Sequence, residues 1–414
     1  MQNEIKKYAH NIVGPVVFNY TRWVLDEAKK RGISKLYFLA RDAYLPYEIA
    51  KLICEKESLK IECKYLFCSR QSLRTPTYHL IGEEALDLLL LGGYNLTPKT
   101  IIERLMPSDD EVKEIYKELD ISDPDKHLSQ KEFENFKSSL KSSVAYNTLI
   151  FKKSTASYSD AISYFTQEGL FDGETVAIVD SGWTGSMQRS IRQLMESAGY
   201  LGKFIGFYFG MYVEPKDTKD GDYLNFYFDA KSGTKRKVSF NNNLFECMLS
   251  ADHPMTVGYK TSSDNVSPIF ANVSAQDELV KAQISGALDY VRERLSAPLK
   301  EFASKHALKE TYKILRRAMM FPDKNFAKAY GKFAFCDDVT EAYHISLASP
   351  EMRTALSDYM LLPRIFRKIF KLKKTAKTEL FWPYGVIAFC PAILRPWYRF
   401  NVRAWEFLKA ILHK

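Results

Sequence analysis

The chain has 414 residues, 46% of them hydrophobic and 14% aromatic, so it can bury a substantial core in one enlarged domain or in two or three smaller ones. The net charge of +9 lies at one end, because residues 361–414 hold twelve Lys/Arg and only two acidic side chains. The polar N-terminus argues against a signal peptide, the apolar runs are too short for a membrane-spanning helix, and the scattered Cys and His residues argue against a zinc site.

The first elements alternate between helix and strand. Residues 9–31 carry apolar side chains at helical spacing, among them Tyr20 and Trp23, and predict an amphipathic helix. The apolar run 35–40 predicts a buried strand, 44–54 returns to helical periodicity, and 61–68 predicts a second strand.

A charged, helical stretch interrupts this alternation at about residues 81–150, where Ser108 precedes three acidic residues as at a helix start. Residues 151–167 continue as a helix. The strongest strand pattern is 174–180, followed by a turn, a helix at about 186–198 and a strand at 204–212. The pattern predicts an α/β fold with a mostly parallel sheet and a helical insertion.

The remainder is less regular. Residues 214–243 read as loops, 277–315 as helix, and 350–360 as a helix with Ser349 as its cap and Pro350 at its first position. We therefore divide the chain into an α/β core at 1–260 with the insertion, a helical region at 261–360, and a basic aromatic tail at 361–414.

The segment 176–187 combines a strand, an acid and a glycine-containing turn. The strand ends at Asp180, and Thr184, Gly185 and Ser186 precede a helix. Open α/β sheets bind ligands at the carboxyl ends of their strands, and a helix start binds phosphate through its free N–H groups. We expect Asp180 to accept hydrogen bonds from sugar hydroxyls beside a phosphate. A helix that simply follows a strand would give the same pattern.

A second turn, Ala40-Arg41-Asp42-Ala43, follows the first strand. The planar guanidinium of Arg41 matches phosphate oxygens, and Asp42 is a candidate to orient the turn or to receive a proton. The alternative is that the two residues only pair to fix the turn.

Ser69 and Arg70 follow the second strand in the same way. They are candidates for further phosphate contacts, although an ordinary surface arginine would look the same. Because all three turns follow strands of one predicted sheet, we expect them to converge.

These segments resemble the phosphoribosyl pyrophosphate (PRPP) site of phosphoribosyltransferases, and more narrowly those of bacterial capsule and O-antigen biosynthesis, often linked to a haloacid-dehalogenase-type phosphatase. The matching stretches are 38–42, 65–70, 179–188 and 244–250, within roughly residues 10–260. The resemblance implies a phosphoribosyltransferase-like, Rossmann-like fold. One departure is that many members have two adjacent acids where this chain has Asp180-Ser181.

The resemblance also implies roles for residues. Asp180 would hold the ribose hydroxyls, the turn at 184–188 the 5-phosphate, and the Arg41 turn the pyrophosphate. The expected PRPP-binding residues are Arg41, Asp42, Ala43, Ser69, Arg70, Asp180, Ser181, Gly182, Thr184, Gly185, Ser186, Met187 and Gln188. The expected catalytic residues are Asp180, Asp42 and Glu246, the last two as candidates for the general base. Mg²⁺ is the expected cofactor, carried by phosphate oxygens and waters, and no protein ligand is assigned to it.

The implied activity is transfer of 5-phosphoribofuranose from PRPP to a hydroxyl of a bacterial polysaccharide or lipid-linked glycan, with release of pyrophosphate. A separate phosphatase would remove the 5-phosphate, because the Asp-x-Asp sequences at 123–125 and 220–222 lie in polar surroundings and not at strand ends. The alternatives are a PRPP-sensing or nucleotide-salvage protein on the same fold, and a nucleotide-sugar glycosyltransferase.

The tail mixes basic, aliphatic and aromatic side chains. Such a segment is typical of a helix on an anionic membrane surface, where each nearby Lys or Arg adds about 1 kcal/mol. Packing on another subunit is an alternative, and nucleic-acid binding is disfavoured because no nucleic-acid motif accompanies the charge. We expect a cytoplasmic protein, peripheral on the inner face of the membrane.

Overall fold

The centre of the molecule is a five-stranded sheet in which every neighbouring pair is parallel. The computed structural model describes residues 1–91, 96–215, 222–263, 265–271, 277–297, 302–336, 344–371 and 379–412. The strands are β1 (Lys35–Leu39), β2 (Glu62–Leu66), β3 (Thr175–Trp183), β4 (Lys203–Met211) and β5 (Tyr223–Phe228). Their order is β2-β1-β3-β4-β5. The prediction of an α/β fold with a Rossmann-like parallel sheet is confirmed.

Two short antiparallel pairs lie outside this sheet. The first joins β6 (Thr256–Thr261) to β7 (Val266–Phe270), and the second joins β8 (Ala334–Phe335) to β9 (Ile345–Ser346). Strand β6 also covers the end of β2, because the Ser69 hydroxyl donates to the Thr256 carbonyl at 2.6 Å.

The N-terminal helices cover one face of the sheet. They are α1 (Gln2–Tyr8), α2 (Gly14–Lys30) and α3 (Tyr44–Glu57). A π-helical turn at Ala9–Val13 joins the first two, where the sequence predicted a helix from residue 9. The rings of Tyr20 and Trp23 pack on the strands, with centroids 5.5 Å from Phe209 and 6.1 Å from Phe207. Burial of this aromatic stripe fixes α2 against β4.

The predicted helical insertion is present between β2 and β3. Its helices are α4 (Arg70–Arg74), α5 (Tyr78–Ile81), α6 (Glu84–Leu89), α7 (Pro98–Ile102), α8 (Asp109–Glu118), α9 (Gln130–Ser142) and α10 (Val144–Gln167). Ser108 caps α8 as predicted, and the Glu111 carboxylate accepts from the Ser108 N–H at 2.8 Å. The insertion has a hydrophobic cluster of its own, which includes Tyr146 and Leu140.

Strand β3 is longer than the sequence predicted. Gly182 and Trp183 pair with Gly210 and Met211 of β4, so the strand continues three residues past Asp180. The next helix, α11 (Ser186–Ser197), then starts almost at once. Gly182, which we expected in the turn after the strand, is therefore part of β3.

The stretch 214–243 contains more structure than predicted. It includes β5, the helix α12 (Thr234–Val238) and the start of α13 (Asn242–Leu249). Strand β5 lies at the sheet edge and is only partly buried in its first half, and Asn225 interrupts its run of aromatic and aliphatic side chains.

The C-terminal helices extend the core on the α2 side. They are α14 (Asp277–Ser296), α15 (Ser304–Met320), α16 (Lys324–Tyr330), α17 (Leu361–Ile369), α18 (Pro383–Ile387) and α19 (Arg395–Leu412). Trp382 is fully buried there and its indole N–H donates to the Met319 carbonyl at 2.9 Å.

The helix predicted at 350–360 is a 3₁₀ helix, Pro350–Tyr359. Ser349 is its N-cap residue and Pro350 occupies its first turn, as predicted, but the Ser349 side chain forms no cap hydrogen bond. In a 3₁₀ helix the bonds run from residue i to i+3, so the turn is tighter than the α-helical one that such a cap serves.

Candidate active site at the carboxyl edge of the sheet

The site lies where the strand order reverses, between β1 and β3. From β1 the chain moves outward to β2, and from β3 it moves in the opposite direction to β4. Open α/β sheets bind ligands in the crevice at such a point. The turn with Arg41 and Asp42 follows β1, and Asp180 lies near the end of β3. Cis peptide bonds are present at Ala40–Arg41 and Gly182–Trp183.

Ser181 links two carboxyl groups that come from different strands. Its hydroxyl donates a hydrogen bond to Oδ2 of Asp42, and its backbone N–H donates to Oδ1 of Asp180 at 2.9 Å. Asp180 and Ser181 are both buried. The residue that stands in place of a second sequential acid therefore brings Asp42 to the side of Asp180.

Glu246 on α13 is the third acid of the cluster. The indole N–H of Trp183 donates to Oε1 of Glu246 at 2.6 Å, which holds the carboxyl group towards the end of β3. The structure thus brings together all three predicted catalytic residues. Trp183 was not identified from the sequence, although its position three residues after Asp180 was visible there.

The pKa of all three acids is raised. Burial is the largest cause in each case, and the charge of Asp42 adds to it at Asp180 and at Glu246. The pKa of Asp180 rises well above its ordinary value, and that of Glu246 rises to about 7. At neutral pH the cluster therefore holds protons that exposed carboxyl groups would release.

Tyr20 of α2 forms hydrogen bonds to the backbone of β3 and β4 next to the acidic cluster. Its hydroxyl lies 2.8 Å from the carbonyl oxygen of Asp180 and 2.7 Å from that of Phe207. Because Tyr20 is almost fully buried, this contact fixes β3 and β4 at the level of the acid. The sequence marked Tyr20 only as part of a helical stripe.

The start of α11 presents free backbone donors. Gly185 is the N-cap residue with φ +67°, and no side chain caps the helix. A Cβ at Gly185 would lie 2.6 Å from Cε1 of Tyr223, so the close approach needs glycine. The first helical N–H groups, those of Ser186, Met187 and Gln188, have no intrahelical acceptor and are available to an anion.

Some residues that were predicted to contact the ligand form hydrogen bonds within the protein instead. The buried Gln188 side chain donates to the Asp222 carbonyl at 3.1 Å and accepts from Tyr208 at 3.0 Å. Ser69 caps α4, and the Ala43 N–H donates to the Leu39 carbonyl at 3.0 Å. Thr184 and Arg70 are exposed.

An aromatic cluster borders the Arg41 turn. Its rings belong to Tyr44, Tyr47, Tyr65, Phe67, His253 and Phe270. Nδ1 of His253 donates to the Pro254 carbonyl at 2.8 Å, so Nε2 accepts from the Tyr65 hydroxyl at 2.7 Å. Burial, together with the charge of Arg41, lowers the pKa of His253 and keeps the ring neutral.

The Asp-x-Asp sequence at 123–125 lies in the insertion between α8 and α9, where Asp125 pairs with Lys99 at 3.6 Å. In the second such sequence, Asp220 and Gly221 lie outside the described residues, and Asp222 pairs with Arg192 at 2.8 Å. Among the described residues, no group of three or more His, Cys, Asp or Glu side chains is arranged to hold a metal ion.

The tail forms an exposed apolar surface on α17 and around the start of α19. The exposed side chains, which we call the tail surface, are Leu362, Ile365, Phe366, Ile369, Phe370, Ile393, Leu394, Trp397 and Phe400. Two of its arginines are held within the protein: Arg364 lies 4.0 Å above the Trp405 ring, and Arg367 pairs with Asp358 at 2.8 Å. Residues 372–378, with three of the predicted basic side chains, lie outside the described residues. Within the described parts of the chain, no helix is long and apolar enough to cross a membrane.

Comparison of the chain with models of known protein families gives no match, and comparison with curated proteins gives none either. Any functional assignment therefore rests on the fold and on the geometry of the site.

Proposed function

We propose that this protein transfers 5-phosphoribofuranose from PRPP to a hydroxyl group of a bacterial polysaccharide or lipid-linked glycan and releases pyrophosphate. The observation that carries the proposal is the joining of Asp42 and Asp180 through Ser181, beside the uncapped start of α11. A pair of carboxyl groups next to free backbone donors matches a sugar with adjacent hydroxyls and a phosphate.

The paired acids account for the departure at Ser181. In the resemblance that motivates the proposal, two sequential acids contact the ribose hydroxyls. Here the second carboxyl group would come from Asp42, in the turn after the neighbouring strand β1, held by the Ser181 hydroxyl. The ribose would then lie across the ends of β1 and β3, with its 5-phosphate at α11 and its diphosphate towards Arg41.

Glu246 is the proposed general base. Its pKa of about 7 is close to the pH at which the enzyme would work, which is the best match for accepting a proton. In the step proposed, the acceptor oxygen forms a bond to C1 of the ribose, its proton passes to Glu246, and the bond from C1 to the diphosphate breaks with both electrons on the diphosphate. The Trp183 N–H keeps the carboxyl group oriented.

Mg²⁺ remains the proposed cofactor. Since no set of three or more His, Cys, Asp or Glu side chains among the described residues is arranged to hold a metal ion, Mg²⁺ would be held mainly by phosphate oxygens and water, with Asp42 and Asp180 nearby. We propose that Mg²⁺ enters on the diphosphate oxygens, where it would neutralise the charge of the leaving group.

The aromatic cluster is the proposed acceptor side. Tyr44 and Tyr65 are only partly buried and Phe270 is 39% exposed, so their rings offer flat apolar surface beside Asp42. A glycan ring has an apolar face that can pack on such rings while its hydroxyl groups point to the acids.

The tail surface is the proposed contact with an anionic lipid surface, on the inner face of the membrane. It combines large exposed apolar side chains with Lys368 and Lys371 at the end of α17. Apolar insertion and electrostatic attraction are the two terms that bind such a surface. A lipid-linked acceptor would be presented at that surface, and a separate phosphatase would act on the product.

Vesicle sedimentation tests the lipid contact. We expect the protein to sediment with vesicles of phosphatidylcholine and phosphatidylglycerol and to stay in solution with phosphatidylcholine alone. Substituting Ile365→Asp together with Phe366→Asp should abolish sedimentation, whereas Leu201→Asp, at a 95% exposed leucine outside the tail, should not. Equal behaviour of the two variants would contradict the proposal.

Thermal melting and product release test the donor. PRPP with Mg²⁺ should raise the melting temperature, while UDP- and CDP-sugars should not, and pyrophosphate should appear when glycan acceptors are added. Stabilisation by a nucleotide sugar alone would favour a conventional glycosyltransferase. Stabilisation by PRPP without pyrophosphate release from any acceptor would favour a PRPP-sensing protein.

A further inference from the structure

Arg74, at the end of α4, is a buried cation without a counter-ion. Only 7% of its surface is exposed, and no hydrogen bond or ion pair joins its guanidinium group to another described residue. Arginine is almost never buried unless it is paired, because removing its charge from water costs several kcal/mol. Arg74 therefore lacks the partner that its position calls for.

The charged groups around Arg74 increase this excess of positive charge. Burial is the main cause that lowers the pKa of Arg74 to about 10, and the charges of Arg70, Arg189 and Arg104 lower it further. Arg104 donates to the carbonyl oxygens of Leu89 at 2.5 Å and Leu91 at 3.3 Å. No salt bridge joins Arg70 or Arg189 to a described acid, although the charge of Arg70 also acts on Asp42 and Glu246. Like charges gathered in this way repel one another unless an anion lies between them.

Helix α11 lies beside the helix that carries Arg74. Helix α4 packs against α11, and Arg189 is the fourth residue of that helix. The uncapped N–H groups of Ser186, Met187 and Gln188 add partial positive charge there. A helix of twelve residues and a buried, unpartnered arginine are thus two independent features that attract an anion.

We propose that Arg70, Arg74 and Arg189, with the start of α11, bind a phosphate dianion at the junction of the sheet and the helical insertion. Guanidinium groups bind phosphate oxygens through paired N–H donors, and the buried position of Arg74 strengthens such a bond. Two sources have this chemistry: the phosphate of the sugar donor, or a phosphate group of the acceptor. The assignment of either source rests on the proposed function, whereas the binding of inorganic phosphate is independent of it.

The test measures binding of inorganic phosphate by calorimetry and its effect on the melting temperature. Arg74→Met keeps the bulk of the side chain and removes its charge. We expect phosphate affinity to fall at least tenfold, while the melting temperature in phosphate-free buffer stays equal or rises, because a buried unpaired charge is removed. A purely structural Arg74 would instead give a less stable variant with unchanged phosphate affinity, and that result would overturn the proposal.

Two further variants keep the test decisive. Arg189→Gln, at an exposed position, should weaken phosphate binding without affecting the fold. Arg192→Met on the same helix breaks the ion pair with Asp222, so it should lower the melting temperature and leave phosphate affinity intact. If the wild-type protein does not bind phosphate, the proposal is wrong.

Competition separates the two sources. If ribose 5-phosphate displaces inorganic phosphate, the site serves the donor; if PRPP and phosphate bind together, it serves a phosphate of the acceptor. Asp180→Asn should retain phosphate binding in either case. Phosphate binding in a protein that never binds PRPP would contradict the proposed function and leave the anion site standing.

Discussion

At the scale of single residues, the site is built from acids that would repel one another without local support. Ser181 binds both Asp42 and Asp180, and Trp183 holds Glu246. Each supporting group is a hydrogen-bond donor that favours the charged carboxylate, but burial has the larger effect on the pKa of all three acids. The consequence is that all three acids keep their protons to a higher pH than exposed carboxyl groups do, and that Glu246, with a pKa of about 7, changes its protonation near neutral pH.

Glu246 should make stability fall as the pH rises. Its pKa is 4.5 as an ordinary side chain and about 7 in the folded protein, so the folded state binds more protons between these values. The free energy of unfolding therefore decreases from pH 4.5 to 7, by about 3 kcal/mol from this group, and levels off above. Glu246→Gln should reduce the decrease by this share and be more stable than the wild type at pH 8, as measured by urea unfolding at pH 5 and pH 8.

Glu111→Gln is the matched control. Hydrogen bonds to the Glu111 carboxylate from Lys152 and from the Ser108 N–H lower its pKa to about 2, so its charged form is the stabilising one. This variant should be less stable than the wild type at pH 8, opposite in sign to Glu246→Gln. A Glu246→Gln protein with the same pH dependence as the wild type would show that the group is not perturbed.

Gly182 is a position where any side chain should disrupt β3. Its φ is +138°, and a Cβ would lie 2.0 Å from the Gly210 carbonyl oxygen. We expect Gly182→Ala to lower the free energy of unfolding by about 2–4 kcal/mol. Gly173→Ala, where a Cβ would meet nothing within 4 Å, serves as the control and should change stability by less than about 1 kcal/mol. Chemical unfolding measures the loss in free energy of unfolding for both variants. Similar losses would contradict the close approach of β3 to β4 at Gly182.

At the scale of elements, the spacing of apolar residues predicted the central strands and the helices after β1 and β3, because each of these segments buries its own apolar side chains. It did not predict that β3 extends past Asp180, since Gly182 and Trp183 are held by pairing with β4 and not by apolar pattern. The edge strand β5 was missed although five of its six side chains are aromatic or aliphatic and only Asn225 interrupts the run. Contacts that join distant segments, such as that of Tyr20 with Asp180, leave no local trace.

The site residues also fall into two groups: those that the local sequence predicts and those that depend on the tertiary fold. The three turns, with their acids and arginines, were recognised because each follows a strand. Ser69 was expected to contact phosphate, but whether its side chain was free depended on the fold: it caps α4 and donates to Thr256 of β6. Arg74 was not among the predicted site residues, because its burial arises from the packing of α4 against α11 and the insertion.

Ser69→Ala should lower stability more than the loss of an ordinary cap. The hydroxyl accepts from the Ser72 N–H at 3.1 Å and donates to the Thr256 carbonyl at 2.6 Å, so two buried bonds are lost. We expect a loss of about 2 kcal/mol, against about 1 kcal/mol for Ser108→Ala at the exposed cap of α8. Thermal or urea unfolding compares the two; equal losses would mean that the bond to Thr256 contributes nothing.

At the scale of the whole molecule, the outer part of the insertion has a hydrophobic cluster separate from those on the sheet, whereas Leu73 of α4 and Tyr164 of α10 pack in a cluster with the sheet. Within the insertion, α8 and α9 each bury a single side chain, Ile115 and Leu140. Strand β3, in contrast, is buried from Val176 to Ser181. The outer helices of the insertion therefore contribute less to the cooperative core than the sheet does.

Hydrogen exchange should show this difference. We expect backbone amides in α8 and α9 to exchange at least about tenfold faster than those of β3, through opening events that leave the sheet folded. Exchange followed by mass spectrometry on peptic fragments measures both. Equal protection of the two regions would mean that the insertion and the sheet unfold as one unit.

The central claim is that the paired carboxyl groups at β1 and β3 bind a phosphorylated ribose. Calorimetric titration with PRPP in the presence of Mg²⁺, on the wild type and on Asp180→Asn, tests it most directly. We predict micromolar binding that requires Mg²⁺ and weakens at least tenfold in the variant, since Asn has one acceptor oxygen where the carboxyl group of Asp180 has two. Absence of binding by the wild type, or equal binding by both proteins, would contradict the account.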